Sequence, residues 1–340
     1  MTQDVDWLIA PDSFKGTFSA REVALAVAAG VSAATAGEGA GEGVPTLDLC
    51  PIADGGEGTL DVIVEQLRGR SAAVSVSDPL GRPISARLGF VEDGSLAIVE
   101  VAQASGLALL APNERDAEAA STFGTGELIA QAVAAGVSHV TVAAGGSAST
   151  DGGTGAIEAL ESSGGLRGAK LTVLADVRTP FERAAAVFAP QKGADAAAVA
   201  RLSERLRTQA ATLPRDPRGV PMGGAAGGLA GGLWARYGAQ LVPGAAWVLD
   251  AVGFDARLSG AKAVVTGEGR LDAQTLEGKA ICEIACRCAR AGVPLHAVVG
   301  EVALDARESE RLGLASLREA TDIAALEQAG RALARMLCAT

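Results

Sequence analysis

The sequence predicts an α/β fold in which both ends of the chain build one parallel sheet and a second α/β domain is inserted between them. Short apolar runs alternate with Ala-rich helical stretches, and this rhythm is typical of parallel α/β architecture. Glycine-rich loops that carry Asp, Ser or Thr follow several of the apolar runs. The chain has 340 residues, more than a single core usually accommodates, so two domains are expected.

The first two strand-to-helix units lie near the N-terminus. The first has the strand WLIA, a loop over residues 11–17, and a helix that Ser19 opens with Glu22 three residues later, the spacing of a capping box. The second runs from LDLCPIA through a loop over residues 54–59 into a helix that ends near Gly69. Both loops leave the carboxyl end of a strand, where open α/β sheets bind ligands.

Three further units follow the same pattern. The third leads from the strand VTVAAGG into the helix AIEALE, the fourth from the strand AVVT into a helix with three cysteines, and the fifth is the strand LHAVVGEV. We expect the first, fourth and fifth units to share one sheet. This predicts a discontinuous domain over residues 1–78 and 256–340, an inserted α/β domain over residues 79–255, and a ligand cleft between the two.

Composition argues against several functional classes. Apolar residues make up 49% of the chain and charged residues 20%, which indicates compact folding rather than disorder. A net charge of −11 disfavours nucleic acid and anionic membranes as partners. The N-terminal residues lack the basic and apolar parts of a signal peptide, and the most apolar stretch, residues 23–35, is too short to span a bilayer. We therefore expect a cytoplasmic protein, with homo-oligomerisation left open.

Cysteine and histidine are not expected to carry the chemistry. Cys282, Cys286 and Cys288 share a helical segment with no histidine at zinc-ligand spacing, so we interpret them as small apolar side chains in a reducing compartment. His139 and His296 lie in apolar strand-like runs, which favours core or strand-edge positions. If the protein is an enzyme, its acid and base are then expected to be carboxylates.

Lysines and carboxylates concentrate at the glycine-rich loops. Lys15, Lys192 and Lys279 each adjoin a glycine, where the backbone approaches a ligand closely and an ammonium group suits a phosphate or carboxylate. The acidic residues at or just after strand ends are Asp12, Asp54, Glu57, Asp151, Asp176, Glu268 and Asp272. Phosphoryl transfer needs positive charge, carboxylates for Mg²⁺ and one carboxylate for the acceptor hydroxyl. Any single Asp-Gly pair also fits an ordinary turn.

The common nucleotide-binding signatures are missing from the sequence. A Walker-type loop requires Ser or Thr after Gly-Lys, whereas Lys279 is followed by Ala280. The protein-kinase motifs are also missing, and no G-x-G-x-x-G follows a strand. Consecutive backbone N–H groups of a glycine-rich turn can still bind an anion without these motifs. The residue pattern alone therefore predicts an α/β enzyme that acts on an anionic substrate.

Ordered sequence blocks resemble the type I glycerate kinase family from the first strand almost to the C-terminus. The blocks are PDSFKG (11–16), IADGGEG (52–58), DPLG (78–81), SGLALL (105–110), FGTGELI (123–129), GGSASTDGG (145–153), PQKG (190–193), AAGGLAGG (225–232) and TGEGRLDAQT (266–275). The resemblance implies a Rossmann-like parallel-sheet domain with an inserted α/β domain. It also implies a kinase that uses ATP and Mg²⁺ on D-glycerate, with 2-phosphoglycerate as the expected product.

The resemblance assigns roles to residues in these blocks. The expected catalytic residues are Lys15, Arg270 and Asp272, with Asp272 orienting the acceptor hydroxyl. The expected substrate-binding residues are Asp12, Ser13, Asp54, Glu57, Lys192, Glu268 and Lys279. Gly145, Gly146 and Ser147 are expected to bind nucleotide phosphates, and Asp151 and Asp176 to bind Mg²⁺. Two blocks depart from the family pattern, because Thr150 replaces an Asn and Ala175 replaces a Cys, but both keep the following Asp.

Three alternatives remain open at this stage. In the first alternative, the enzyme phosphorylates another short hydroxy acid or a sugar acid. In the second, it phosphorylates glycerate at C3 and forms 3-phosphoglycerate. The third is a metabolite-binding regulator without catalytic activity. We favour the regulator least, because no helix-turn-helix, basic stripe or interaction tail is recognisable in the sequence.

Overall fold

The computed structural model of the protein describes residues 5–35, 45–273, 275 and 279–337. Contacts within the chain define two compact units: a first unit of Met1–Asp54 with Val248–Thr340, and an inserted unit of Gly55–Trp247. Each unit has its own sheet flanked by helices. The predicted fold class, two α/β domains with one inserted into the other, is confirmed.

Strands and helices alternate along most of the described chain. The strands are β1 (Val5–Ile9), β2 (Leu47–Leu49), β3 (Arg70–Ser77), β4 (Pro83–Val91), β5 (Leu96–Glu100), β6 (His139–Ala143), β7 (Lys170–Ala175), β8 (Gln240–Pro243), β9 (Ala261–Thr266), β10 (Arg270–Leu271), β11 (Leu295–Val299), β12 (Glu301–Val302) and β13 (Ser316–Glu319). The α-helices are α1 (Ala20–Thr35), α2 (Thr59–Gln66), α3 (Val101–Ser105), α4 (Phe123–Ala134), α5 (Thr154–Ser162), α6 (Ala184–Phe188), α7 (Ala196–Ala210), α8 (Leu229–Tyr237), α9 (Gly244–Ala251), α10 (Phe254–Leu258), α11 (Ala280–Ala291), α12 (Ala306–Glu310) and α13 (Ile323–Leu337).

The first unit contains a parallel five-stranded sheet with the order β13-β11-β9-β1-β2. In its centre, Trp7 of β1 lies opposite Leu47 on one side and Ala263 on the other. The inner strands are almost continuously buried, as expected for a parallel sheet that helices cover on both faces. The prediction that the first, fourth and fifth sequence units share one sheet is confirmed.

Helix α1 shows how local sequence fixes an element of the first unit. The backbone N–H of Ser19 donates to Glu22 Oε2 at 2.8 Å, and the N–H of Glu22 donates to Ser19 Oγ at 3.2 Å, so the predicted capping box is present. The same helix packs closely on α13, where a Cβ added at Gly30 would collide with the carbonyl oxygen of Glu327. The abundance of Gly and Ala therefore serves close helix packing.

The inserted unit has a mixed six-stranded sheet with the order β3-β4-β5-β6-β7-β8. Strands β3, β4 and β5 pair antiparallel, whereas β5, β6, β7 and β8 pair parallel. The third sequence unit corresponds to β6 and α5, as predicted. The antiparallel strands β3 and β4 were not predicted, because the sequence analysis searched for strand-loop-helix units and these strands form a hairpin.

The first unit ends earlier in the chain than the predicted boundary. We expected boundaries after residues 78 and 255, whereas the units divide after Asp54 and Trp247. The physical reason is that β3 pairs with β4 along its whole length, from Arg70 opposite Phe90 to Ser77 opposite Pro83. Helix α2 contacts β4 and β5 of the same sheet.

In the described part of the chain, no helix is both long and apolar enough to cross a bilayer.

Candidate active site

A cavity of about 370 Å³ lies at the carboxyl ends of the strands in the first unit. Residues that follow β1, β2, β9, β11 and β13 line it. The sheet continues from β1 to β2 on one side and from β9 to β11 and β13 on the other. The boundary between β1 and β9 is therefore a topological switch point, where open α/β sheets bind ligands.

Eight of the predicted site residues come together in this cavity. They are Asp12, Ser13, Lys15, Asp54, Glu268, Arg270, Asp272 and Lys279. The strand-end positions bring them together, because parallel strands all end at the same edge of the sheet. The remaining predicted residues, Glu57, Gly145, Gly146, Ser147, Asp151, Asp176 and Lys192, belong to the inserted unit.

An ion pair joins the loops that follow β1 and β2. Lys15 Nζ lies 2.8 Å from Asp54 Oδ2. The Asp54 side chain is only 4% exposed, whereas the Lys15 side chain is 54% exposed. The buried carboxylate therefore fixes the position of a lysine whose side chain remains accessible from the cavity.

Asp12 is a buried carboxyl group in the same cavity. Its Oδ1 accepts a hydrogen bond of 2.6 Å from the backbone N–H of Ser13. Burial raises the pKa of Asp12 well above its ordinary value, the neighbouring Asp54 carboxylate raises it further, and Lys15 offsets only part of the shift. The surroundings of Asp12 therefore disfavour its charged form relative to an exposed aspartate.

Glu268 follows β9 and is held by a threonine. Thr275 Oγ1 donates to Glu268 Oε1 at 2.5 Å, and the same Oγ1 accepts from the backbone N–H of Asp272 at 3.2 Å. Burial is the main reason that the pKa of Glu268 is raised to about 7. The loops after β1 and β9 approach closely here, because a Cβ added at the flanking Gly269 would lie 3.2 Å from the Cα of Phe14.

The cavity also has two cationic side chains beside Lys15. Arg270 Nη1 on β10 lies 3.7 Å from Glu301 Oε2 on β12, and both side chains are more than half exposed. Lys279 precedes the first turn of α11, where its carbonyl oxygen accepts from the N–H of Glu283, and its ammonium group makes no hydrogen bond or ion pair with a described residue. Lys279 is therefore placed to attract an anion.

Glycine-rich loops meet at the carboxyl edge of the sheet in the inserted unit. A Cβ added at Gly145 would lie 2.6 Å from Gly56 Cα, so the loop after β6 and the loop before α2 approach through bare backbone. Gly146 has a φ of +67°, a conformation that favours glycine. Exposed backbone N–H groups in such turns suit phosphate oxygens.

Lys192 lies beneath the loop that follows β6. Its Nζ donates to Ser147 Oγ at 2.8 Å and to the carbonyl oxygen of Ser149 at 2.6 Å. The residue is 2% exposed, and burial lowers the pKa of its ammonium group to about 7, with Asp151 opposing the shift. Lys192 thus fixes the conformation of the loop.

A family model described as the glycerate kinase family matches residues 7–164 and 161–340. The chain belongs to the glycerate kinase family. It is 35% identical over 332 residues to "Glycerate kinase" of Halalkalibacterium halodurans, with 87% of this chain and 85% of that protein covered. It is 32% identical over 367 residues to "Glycerate 2-kinase" of Escherichia coli K12, with 97% and 94% covered.

A solved structure extends the likeness to the fold. The crystal structure from Salmonella typhimurium LT2 described as a glycerate kinase 2 has a TM-score of 0.83 and 33% sequence identity, covering 99% of both chains. The family membership supports an enzyme of the kinase class.

Asp151 has a structural use in this member of the glycerate kinase family. Its Oδ2 accepts from the N–H and Oγ1 of Thr122, each at 2.8 Å, and from the N–H of Gly155 at 3.2 Å; its Oδ1 accepts from the N–H of Gly153 at 3.1 Å. A metal ion would compete with these four donors.

Asp176 follows β7 and is half-buried. No group of three or more His, Cys, Asp or Glu side chains among the described residues is arranged to hold a metal ion. Magnesium binding by Asp151 and Asp176 stays a prediction.

Some residues of the cavity were missed by the sequence analysis. They are Phe14, Thr17, Gly269, Gly300, Glu301 and Thr321. Thr275, which holds Glu268, was also missed, although it lies in the same block as Asp272. Hydroxyl side chains in the strand-end loops are the sequence signal for such residues, because an uncharged hydroxyl can anchor a buried carboxyl group.

Glu100 is a buried carboxyl group of the inserted unit that the sequence analysis also missed. It ends β5, and its Oε1 accepts from the N–H of Leu60 in the first turn of α2 at 2.8 Å. Burial raises its pKa. The Glu100 carboxylate therefore satisfies a backbone N–H group in the first turn of α2.

The two histidines lie in strands, as predicted. His139 Nε2 and Thr172 Oγ1 are 2.8 Å apart, and His296 Nδ1 and Ser316 Oγ are also 2.8 Å apart. Burial lowers the pKa of both imidazoles. Neither residue lines the cavity of the first unit.

The three cysteines of α11 are free thiols, and Cys288 is buried.

Proposed function

We propose that this protein transfers the γ-phosphoryl group of ATP to D-glycerate and forms ADP and 2-phosphoglycerate. Membership of the glycerate kinase family supports the reaction class, and the similarity to a relative named "Glycerate 2-kinase" supports transfer to C2. The observation that carries the proposal is the cavity of the first unit, where three cationic side chains and five carboxyl groups meet at the carboxyl ends of parallel strands.

We assign the glycerate carboxylate to the cationic side of the cavity. The Lys279 ammonium group makes no ion pair with a described residue. Among the described residues, the Arg270 guanidinium pairs with Glu301 alone, at 3.7 Å and with both side chains more than half exposed. Local cations are required because the net charge of −11 repels an anionic substrate from the surface as a whole. A carboxylate held by Lys279 and Arg270 places the adjacent C2 hydroxyl close to Lys15 and the acidic groups.

Lys15 is proposed to stabilise the charge on the phosphoryl group during transfer. Asp54 fixes the ammonium group before substrate arrives, and a prepositioned charge stabilises a transition state without reorganisation. A carboxylate of the cavity orients the acceptor hydroxyl and receives its proton. The sequence analysis assigns this role to Asp272.

We assign the nucleotide phosphates to the backbone of Gly145, Gly146 and Ser147. The lack of side chains at Gly145 and Gly146 supports this, because ligand oxygens can then approach the backbone N–H groups of the turn closely. Lys192 supports the loop through Ser147 and Ser149. We treat Lys192 as a residue that positions this loop, and Glu57 remains a predicted substrate-binding residue.

We propose that Mg²⁺ enters with the nucleotide, and Asp151 and Asp176 remain its predicted carboxylate ligands. Magnesium keeps several waters and is usually bound through substrate phosphates with one or two carboxylates. The ion supplies neutralisation of the phosphate charge when it is bound. We further propose a cytoplasmic enzyme, and homo-oligomerisation remains an expectation.

The test is an ADP-release assay with D-glycerate, followed by treatment of the product with enolase alone. We expect ADP release that depends on both glycerate and Mg²⁺, and direct conversion of the product to phosphoenolpyruvate. Product that enolase consumes only after a mutase is added would show transfer to C3. A panel of short hydroxy acids and sugar acids tests the alternative acceptors, and an absence of glycerate-stimulated ADP release from folded protein would refute the proposal.

A further inference from the structure

We propose that Glu268, rather than Asp272, receives the proton of the acceptor hydroxyl. This inference rests on the proposed function. In the step, the hydroxyl oxygen of glycerate forms a bond to the γ-phosphorus while the bond from that phosphorus to the β–γ bridging oxygen breaks. The bridging oxygen keeps the electron pair and leaves as part of ADP. The hydroxyl proton passes to the Glu268 carboxylate.

The position of Glu268 supports this role. It follows β9 at the topological switch point of the sheet and lines the cavity with 8% of its surface exposed. Thr275 Oγ1 donates to Oε1, whereas no described residue hydrogen-bonds to Oε2. One oxygen is thus anchored, and the other is left for a ligand.

Two other carboxyl groups of the cavity already have different tasks. Asp54 Oδ2 is paired with Lys15. Asp12 Oδ1 accepts from the backbone N–H of Ser13 at 2.6 Å, and burial together with the Asp54 carboxylate disfavours the charged form of Asp12. We therefore assign Asp12 to holding this loop.

Asp272 is connected to Glu268 through its main chain. The Asp272 N–H donates to Thr275 Oγ1, which in turn donates to Glu268. This arrangement gives Asp272 a positioning role that does not need its carboxylate. An Asn at position 272 would keep the main-chain hydrogen bond, which makes it a useful comparison.

The electrostatic surroundings bring Glu268 into the range useful for proton transfer near neutral pH. Burial is the largest influence, and it raises the pKa of Glu268 to about 7. The carboxyl groups of Asp54 and Asp272 raise it, Lys279 lowers it, and Glu268 in turn raises the pKa of Asp12. The other cavity cations are Lys15 and Arg270. A base with a pKa near the working pH combines ionisation with proton affinity.

The experiment measures kcat/KM and single-turnover phosphoryl transfer from pH 5.5 to 9 for the full chain. The variants are Glu268→Gln, Glu268→Asp, Asp272→Asn and Thr275→Val. Wild-type protein should lose activity as the pH falls through about 7. Glu268→Gln should be roughly 10²- to 10⁴-fold slower and should lose this acid limb. Glu268→Asp should restore part of the rate and the limb.

The other two variants separate proton transfer from positioning. Asp272→Asn should keep the acid limb at a reduced rate. Thr275→Val should move the limb to higher pH, because the Thr275 hydrogen bond lowers the pKa of Glu268. Ionisations of ATP and glycerate are common to all variants, so they cannot explain a limb that one variant lacks.

Two results would overturn the inference while leaving the proposed function intact. One is a Glu268→Gln protein that keeps the acid limb or stays within about tenfold of the wild-type rate. The other is loss of the limb in Asp272→Asn with retention in Glu268→Gln. If Glu268→Gln does not fold, an unshifted limb in Thr275→Val together with an unchanged Glu268→Asp profile would overturn it. Failure of the proposed function would instead appear as wild-type protein without glycerate-dependent ADP release.

Discussion

The Nζ atom of Lys15 lies 2.8 Å from Oδ2 of Asp54, and this contact joins the loops that follow two adjacent strands. Asp54 is buried and Lys15 is half exposed. The pair therefore has two separable effects: it compensates a buried carboxylate, and it prepositions an ammonium group in the cavity.

Replacing Lys15 by Met should lower the turnover number roughly 10²- to 10³-fold, the loss seen when one prepositioned charge-stabilising donor is removed. The measurement is kcat for ADP release at saturating substrates. The same change should lower the free energy of unfolding, because it leaves Asp54 buried without its cation. Near-normal turnover would mean that Lys15 has no part in transfer.

A double variant separates the two effects of this pair. Lys15→Met combined with Asp54→Asn removes the buried carboxylate that has lost Lys15, so its urea midpoint should recover above that of Lys15→Met alone. Its turnover should stay low. Recovery of turnover together with stability would show that the single variant was merely damaged in its fold.

Glu268→Gln should stabilise the protein increasingly as the pH rises from about 4.5 to 7. The folded pKa of Glu268 is about 7 against an ordinary 4.5, so the folded chain binds more protons than the unfolded chain in this window. The free-energy advantage of Gln should grow by about 3 kcal/mol and then level off above pH 7. Urea unfolding of both proteins at pH 5 and pH 8 checks this, and an equal difference at both values contradicts it.

Lys192→Met should show its pH effect in a different window. The folded pKa of Lys192 is about 7 against an ordinary 10.5, so the unfolded chain binds more protons between these values. Wild-type stability should therefore rise relative to the variant from pH 7 upward, by roughly 3–5 kcal/mol over the whole window. Unfolding at pH 6.5, 8 and 9.5 measures it. A constant difference would show that Lys192 is not desolvated.

Gly145→Ala should raise the KM for ATP with little change in the KM for glycerate. The added Cβ would lie 2.6 Å from Gly56 Cα and would push the two loops apart. Gly164→Ala is the matched control: its φ of +88° also strains a side chain, but it lies on an exposed turn after α5. The control should lose stability and keep both KM values, and a similar ATP effect in both variants would exclude a local cause.

The substitutions His139→Gln and His296→Gln should leave the pH dependence of turnover unchanged. Both imidazoles have pKa values lowered by burial, and both hydrogen-bond to a hydroxyl group on a neighbouring strand. His296 also packs beside Trp7, with 5.5 Å between ring centroids, so its variant should be less stable. Loss of an ionisation from either pH–rate profile would contradict the carboxylate-base argument.

The sequence predicted the parallel sheet of the first unit because its strands are short apolar runs followed by glycine-rich loops. That rule placed Asp12, Asp54 and Glu268 at one edge without coordinates. It could not predict the β3–β4 hairpin, since the pairing of Arg70 with Phe90 depends on contacts between strands rather than on a loop motif. For the same reason the first boundary was expected after residue 78, whereas the units divide after Asp54.

The sequence identified the charges of the cavity but not their protonation or their division of work. Asp12 and Asp272 look alike in the sequence, and it is burial in the folded chain that raises the pKa of Asp12. The hydroxyl that anchors Glu268 is seven residues away at Thr275 and carries no charge. Side-chain burial and hydrogen bonding arise from the folded chain, so a residue pattern cannot supply them.

The pairing of β1 with β9 has a consequence for the order in which the protein is made and folds. Trp7 lies opposite Ala263, so the N-terminal strand emerges from the ribosome long before its central partner exists. The inserted unit ends at Trp247 and can complete its own sheet while the first unit still lacks β9, β11 and β13. Contacts between such distant segments form slowly because a long loop must close first. The cavity, which needs loops from both ends of the chain, is therefore completed last, and a nascent chain gains it only near the end of synthesis.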